Sequence, residues 1–195
     1  MKILIDNGHG VETAGKRSPD GSLREYKYTR EIAARIVSRL KEKGFDAERI
    51  VTEENDISLS ERCRRANSVC DRLGTKNVIL VSVHCNAAGN GSQWLNARGW
   101  EAWTSIGQTK ADTLAEHLYK AAEETGLKPR KDMTDGDADK EGHLYILKHT
   151  KCPAVLTENL FQDNKEDVAF LLSEAGKETI VSLHVKGITN YLKTI

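Results

Sequence analysis

The residues of this 195-residue sequence best suited to chemistry are two histidines and two glutamates, standing where short apolar runs give way to polar segments. His9 follows KILID within DNGHG, His84 ends VILVSVH, Glu158 lies in AVLTEN, and Glu25 stands just before a long helical stretch. A His-Glu-His set leaves the fourth position of a tetrahedral zinc ion open, which is the arrangement of catalytic sites. Zinc lowers the pKa of a water in that position and polarises a carbonyl. An unligated carboxylate nearby can then take the water's proton and pass it to a leaving amine. On this reading His9, Glu25 and His84 are ligands of Zn2+ and Glu158 is the catalytic acid-base. Each has a second reading. His9, between Gly8 and Gly10, suits a turn in the left-handed region. His84 suits a satisfied core histidine, and Glu25 a first-turn carboxylate favoured by a helix dipole, with Glu31 competing as a ligand from the same segment. Glu158 ends an apolar run, where a carboxylate needs a cation or a hydrogen-bond donor.

The elements that must position these groups alternate short β-branched runs with amphipathic stretches. That pattern predicts an α/β fold: a single domain over residues 1–195 with a mostly parallel twisted sheet flanked by helices. KILID is the first strand. YTREIAARIVSRLKEKG puts Ile32, Ile36 and Leu40 on one helical face before Gly44. DAERIV is a second strand, and in SLSERCRRANSVCDRLG the spacing of Ser58 and Glu61 predicts a capping box at the start of a helix closed by Gly74. VILVSVH is the least polar run and the natural central strand. GWEAWTS is a further strand, KADTLAEHLYKAAEETG a helix, AVLTEN a late buried strand, and KEDVAFLL, capped by Asn164, precedes a final helix from about Lys177 to Leu192. Ligand sites of such sheets lie beyond the carboxyl ends of the strands, which is where His9, His84 and Glu158 fall.

Bulk properties exclude other classes. Lys and Arg equal Asp and Glu in number, so nothing favours nucleic acid or an anionic membrane. No apolar run approaches bilayer length, so no membrane insertion is expected. The start MKILIDNGHG meets Asp6 too soon for a secretory signal. The four cysteines, Cys63, Cys70, Cys85 and Cys152, form no CxxC pair and read as buried thiols. Trp94, in the glycine-rich AAGNGSQWLNARGW, is a candidate to stack on substrate or to anchor its loop, whereas Trp100 and Trp103 suit core packing. DMTDGDADKEG hints at calcium but lacks the glutamate spacing of a calcium loop and reads as a solvated turn. His143, just after it, is a candidate substrate contact or a surface residue. His117, His149 and His184 read as surface or packing residues.

Together these segments resemble the zinc-dependent N-acetylmuramoyl-L-alanine amidases of the type 3 family, over nearly the whole chain. DNGHG is similar to that family's Asp-Pro-Gly-His-Gly, with Asn7 in place of proline, and REYKYTREIA resembles the segment where its ligand glutamate precedes the first helix, which favours Glu25 over Glu31. ISLSERCRRAN and VSVHCNA are similar to its Leu-x-x-Arg…Ala-Asn helix and Ser-Ile-His-x-Asn strand end. PAVLTENLFQDN resembles Pro-Ala-Val-Leu-Val-Glu-x-Gly-Phe, with Thr157, Asn159 and Leu160 departing. The resemblance implies a peptidoglycan hydrolase cleaving the amide between N-acetylmuramic acid and L-alanine of the stem peptide. Asn86 is implied as a substrate-binding residue. A muropeptide or peptidoglycan is the implied partner and a monomer the expected state. The protein would be made in the cytoplasm and act on the wall, as a phage-type lysin or a chain trimmed of its signal. Two other readings remain: another zinc peptidase or deacylase, and a catalytically silent peptidoglycan-binding domain.

Overall fold

In the computed structural model, which describes residues 1–195, β1 (Lys2–Asn7) leads through a loop into α1 (Glu25–Glu42), then β2 (Asp46–Arg49) and α2 (Leu59–Leu73). A 3-10 turn at Thr75–Asn77 opens β3 (Val78–Asn86), followed by β4 (Glu101–Thr104) and α3 (Lys110–Glu124). Then come β5 (Lys140–Glu141), α4 (Tyr145–His149), β6 (Ala154–Phe161), α5 (Lys165–Leu172) and α6 (Glu174–Leu192). The six strands form one sheet in the order β2-β1-β3-β6-β4-β5. It is parallel from β2 to β6, with the β4–β5 pair running antiparallel to β6. The predicted mostly parallel α/β architecture is therefore present. Two elements go unannounced in the sequence: β5, two residues long, and α4, a turn and a half without a capping side chain.

Strand alternation divides the core into two. Ile3, Ile5, Ile79, Val81, Val83 and Val155 point to the face covered by α1, α3 and α6. Leu4, Val78, Leu80, Ala154 and Leu156 point to the face covered by α2 and α4, because successive strand residues face opposite ways. Ile32, Ile36 and Leu40 of α1 are fully buried as their spacing requires, and Gly44 follows at a φ of 83°. The capping box at α2 is half formed. Ser58 accepts from the Glu61 N–H at 3.2 Å, but the Glu61 carboxylate turns to Arg64 and Arg65 instead of back to the cap. The complete box is at α3, between Thr109 and Asp112. α6 begins at Glu174, capped by Ser173, earlier than periodicity suggests. The four cysteines are buried free thiols.

Candidate metal centre and cleft

On the face covered by α2 and α4, side chains turn from apolar to polar as the strands approach their carboxyl ends. Leu4 is followed by Asp6 on β1, Leu80 by Ser82 and His84 on β3, and Leu156 by Glu158 on β6. Parallel register aligns these changes, setting Asp6 beside Ser82 and His84 beside Glu158. The first strand's polar end is braced by Arg62 of α2, 1% exposed, which donates to Asp6 Oδ1 at 2.7 Å, the Asn7 carbonyl at 2.6 Å and the His9 carbonyl at 3.2 Å.

That bracing fixes an unusual backbone. His9 has a φ of 61°, as its reading as a left-handed turn residue requires. Arg30 Nη1 donates to the same His9 carbonyl at 2.9 Å, and Thr29 Oγ1 to the Gly8 carbonyl at 3.0 Å. Gly8 must lack a side chain, since a Cβ there would lie 2.2 Å from the His84 ring. The result is a tight cluster: His9 Nε2 lies 3.4 Å and His84 Nδ1 3.3 Å from Glu25 Oε1, and one ligand atom from each residue falls within 4.8 Å of the others. Tetrahedral coordination with bonds of about 2.0–2.1 Å separates ligand atoms by about 3.3 Å, so the donor set and its spacing fit a zinc-sized ion.

Glu25 is the first residue of α1 rather than a loop residue before it, and it is fully buried. Burial opposes its ionisation, but hydrogen bonds and charge interactions with His84 and His9 prevail and hold the carboxyl well below the ordinary range. Its oxygens are further ordered by the Cys85 N–H at 2.9 Å on Oε1 and by Gln162 Nε2 at 2.9 Å on Oε2. Glu31, its rival from the sequence, pairs instead with Arg35 and Lys177.

Glu158 stands outside the three-residue cluster. Burial pushes its pKa up to about 8; the charges of His84 and Lys16 pull it down, while those of Glu25 and Glu101 push it up. Its Oε2 is buried without a partner. Just beyond it β6 bulges: His84 pairs with Glu158, but Asn86 pairs with Phe161, so Asn159 and Leu160 together oppose Cys85. Leu160 takes a φ of 63° there, where the resembled family motif has glycine. The other departures are satisfied by hydrogen bonds. Asn159 accepts from Trp100 Nε1 at 2.9 Å and donates to the His84 carbonyl at 2.9 Å, and the Thr157 hydroxyl meets His184 Nε2 at 2.9 Å.

His9, His84 and Glu158 line a cleft of about 460 Å³ whose other walls include Lys16, Asp56, Leu59, Leu144 and Tyr145. Asn86, Trp94 and His143 are not in that lining. Asn86 donates to Glu101 Oε1 at 2.7 Å and accepts from the Ala87 N–H at 2.8 Å, so both amide atoms are engaged within the protein. Trp94 packs at the edge of the larger core under Lys165, and His143 is exposed. Asp139 is buried against Thr104 Oγ1 at 2.6 Å rather than part of a solvated turn, and His184 is fully buried, the packing alternative of its two readings. Sequence reasoning overlooked Gln162; a glutamine four residues after Glu158 carries no signal until its contact with Glu25 is seen. Arg62 was visible only as part of a family-like helix motif.

A His-Glu-His cluster able to hold a metal ion, with an unligated carboxylate beside it at the carboxyl edge of a parallel sheet, is suited to metal-assisted hydrolysis. The chain belongs to the Amidase_3 family, N-acetylmuramoyl-L-alanine amidase, whose model matches residues 3–190. It is 29% identical over 197 residues to the endolysin of Bacillus phage SPP1, covering 97% of this chain and 65% of that protein. It is 28% identical over 195 residues to the N-acetylmuramoyl-L-alanine amidase CwlM of Bacillus licheniformis, covering 96% and 67%. It thus spans about two thirds of the length of these two relatives. The crystal structure of an N-acetylmuramoyl-L-alanine amidase from Clostridium difficile 630 superposes with a TM-score of 0.84 at 25% identity, covering 99% of this chain and 97% of that one.

Proposed function

We propose that this protein is a peptidoglycan amidase that hydrolyses the bond between the lactyl group of N-acetylmuramic acid and L-alanine of the stem peptide, with Zn2+ held by His9, Glu25 and His84. The observation that carries this reading is the three-ligand cluster with Glu158 free beside it, in a chain matched almost end to end by the amidase family. Bound there, zinc would supply Lewis-acid polarisation of the scissile carbonyl and acidify the attacking water. Glu158 takes the proton of that water as the new carbon–oxygen bond forms, then returns it to the alanine nitrogen as the carbon–nitrogen bond breaks. Glu158 lies close enough to that cluster for a cation held there to favour its ionised form, which would ready it as a base despite its burial. The β6 bulge and the Asn159 bonds to Trp100 and the His84 carbonyl fix the strand on which that carboxylate sits. Asn86 serves by holding Glu101, and Trp94 by anchoring its loop.

Glu158→Gln keeps the shape and removes the base. Release of stem peptide from purified peptidoglycan should fall at least about 100-fold, with stoichiometric zinc retained. Full activity in that variant, or products lacking a new alanine amino terminus, would overturn the proposal.

A further inference from the structure

The cleft has two unlike flanks. On the side of α2 and α4, Leu59 and Tyr145 stand 50% and 41% exposed, an apolar shelf continued inward by Leu144 and Leu156. The loop leading to α1 contributes Lys16, whose carbonyl accepts the Glu25 N–H at 3.1 Å and so fixes the residue's backbone next to a ligand. The other non-histidine cation of the cleft, Arg62, is consumed by Asp6 at 2.7 Å and Asp56 at 3.3 Å. Lys16 has neither an ion pair nor a side-chain hydrogen bond, although it is half-buried and its charge is felt at Glu158. A lysine in the wall of a reaction cleft without a counter-ion favours an anionic group on whatever enters.

We propose that Lys16 is a specificity residue that binds a free carboxylate of the stem peptide on the leaving side of the scissile amide, while the Leu59–Tyr145 shelf takes apolar parts of the same chain. The inference rests on the amidase reading above. The carboxylate within reach is the one borne by a D-isoglutamyl residue directly after L-alanine. Two residues span at most about 7 Å from the reacting nitrogen, so this carboxylate enters the cleft together with the scissile amide. When that residue is D-isoglutamine, the carboxylate is replaced by a neutral amide and the charge-assisted contact is lost.

The test measures kcat/KM on two N-acetylmuramoyl tripeptides that differ only in D-isoglutamate or D-isoglutamine at the second position, using the zinc-loaded full chain. The wild-type ratio should favour the carboxylate about tenfold, the scale of a hydrogen bond to a charged group. Lys16→Met should collapse the ratio to near one, and Lys16→Arg should retain it. A wild-type ratio near one, or a preference that survives in Lys16→Met, overturns the assignment while leaving the amidase reading standing. Failure of the wild-type protein to cleave either compound overturns the amidase reading, and this inference with it.

Discussion

At the scale of the residue, the centre depends on how Glu25 is held. One oxygen faces both histidines and the Cys85 N–H, and the other accepts from Gln162, so the carboxylate cannot rotate without breaking a buried bond. Partners that orient a metal ligand commonly change affinity 10- to 100-fold. Gln162→Leu should therefore weaken zinc binding by about that factor in competition with a chromophoric chelator. The zinc-free protein should also lose about 1–3 kcal/mol, because Glu25 Oε2 is left buried without its donor, a cost reduced in part by removing the unpartnered Gln162 Oε1. Unchanged zinc affinity would show that Glu25 is ordered by the histidines and backbone alone. His9, His84 and Glu158 were legible in the sequence because each ends an apolar run, a place where polar groups need a reason. Glu25 against Glu31 was not decidable from local pattern, since both sit near the start of one helix. The choice is made by which helical face meets β3, and that is a tertiary fact. Gln162 is silent for the same reason.

At the scale of the element, two buried polar links join helices to the strands that carry the site. Arg62 of α2 holds Asp6 and the Asn7 and His9 carbonyls. Arg62→Leu would leave Asp6 buried without its cation, at a cost of about 3–5 kcal/mol. For a chain of this size that corresponds to a fall in Tm of roughly 10 °C by calorimetry; a shift of only a degree or two would show that the pair contributes little. The second link joins α6 to β6. His184 Nδ1 lies 2.7 Å from the Ile180 carbonyl and must donate to it, which leaves Nε2 to accept the Thr157 hydroxyl. Burial lowers its pKa to about 4, partly offset by the bond to the Ile180 carbonyl. The unfolded histidine takes up its proton near pH 6.5, so between there and pH 4 the unfolded chain binds more protons and stability falls as pH falls. The shift amounts to about 3 kcal/mol by pH 4. Urea titrations should show an acid-side loss that is shallower by that amount in His184→Gln, and identical slopes in the two proteins would exclude His184 as the cause. Thr157, where the resembled motif has valine, is thus matched by a histidine 27 residues on, a pairing that no local reading of either segment contains. The long helices and the central strand were legible because their periodicity is strong. β5 and α4 were not, because two and five residues carry too little pattern to stand above polar surroundings.

At the scale of the whole molecule, the two cores are complete without the centre. His9 and His84 stand at the carboxyl ends of the neighbouring strands β1 and β3, and Glu25 opens α1, a helix already held to the sheet by Ile32, Ile36 and Leu40. A chain of this length buries enough surface to fold without a metal staple. The bound ion should then act on stability only by mass action, adding RT ln(1 + [Zn]/Kd), or about 2.7 kcal/mol when free zinc is a hundred times Kd. Chelation should leave the helical circular dichroism intact and unfolding cooperative, while lowering Tm by roughly 5–10 °C, with full recovery of both Tm and amidase activity on adding zinc back. Collapse of the dichroism on chelation would make the ion structural, contrary to the open three-ligand geometry. An unmoved Tm, with zinc in excess beforehand, would mean that no ion binds at His9, Glu25 and His84. The apolar cores and the cluster would then have to be reconciled with a different use of Glu158, since a carboxylate with a buried, unpartnered oxygen beside His84 has no function in packing alone.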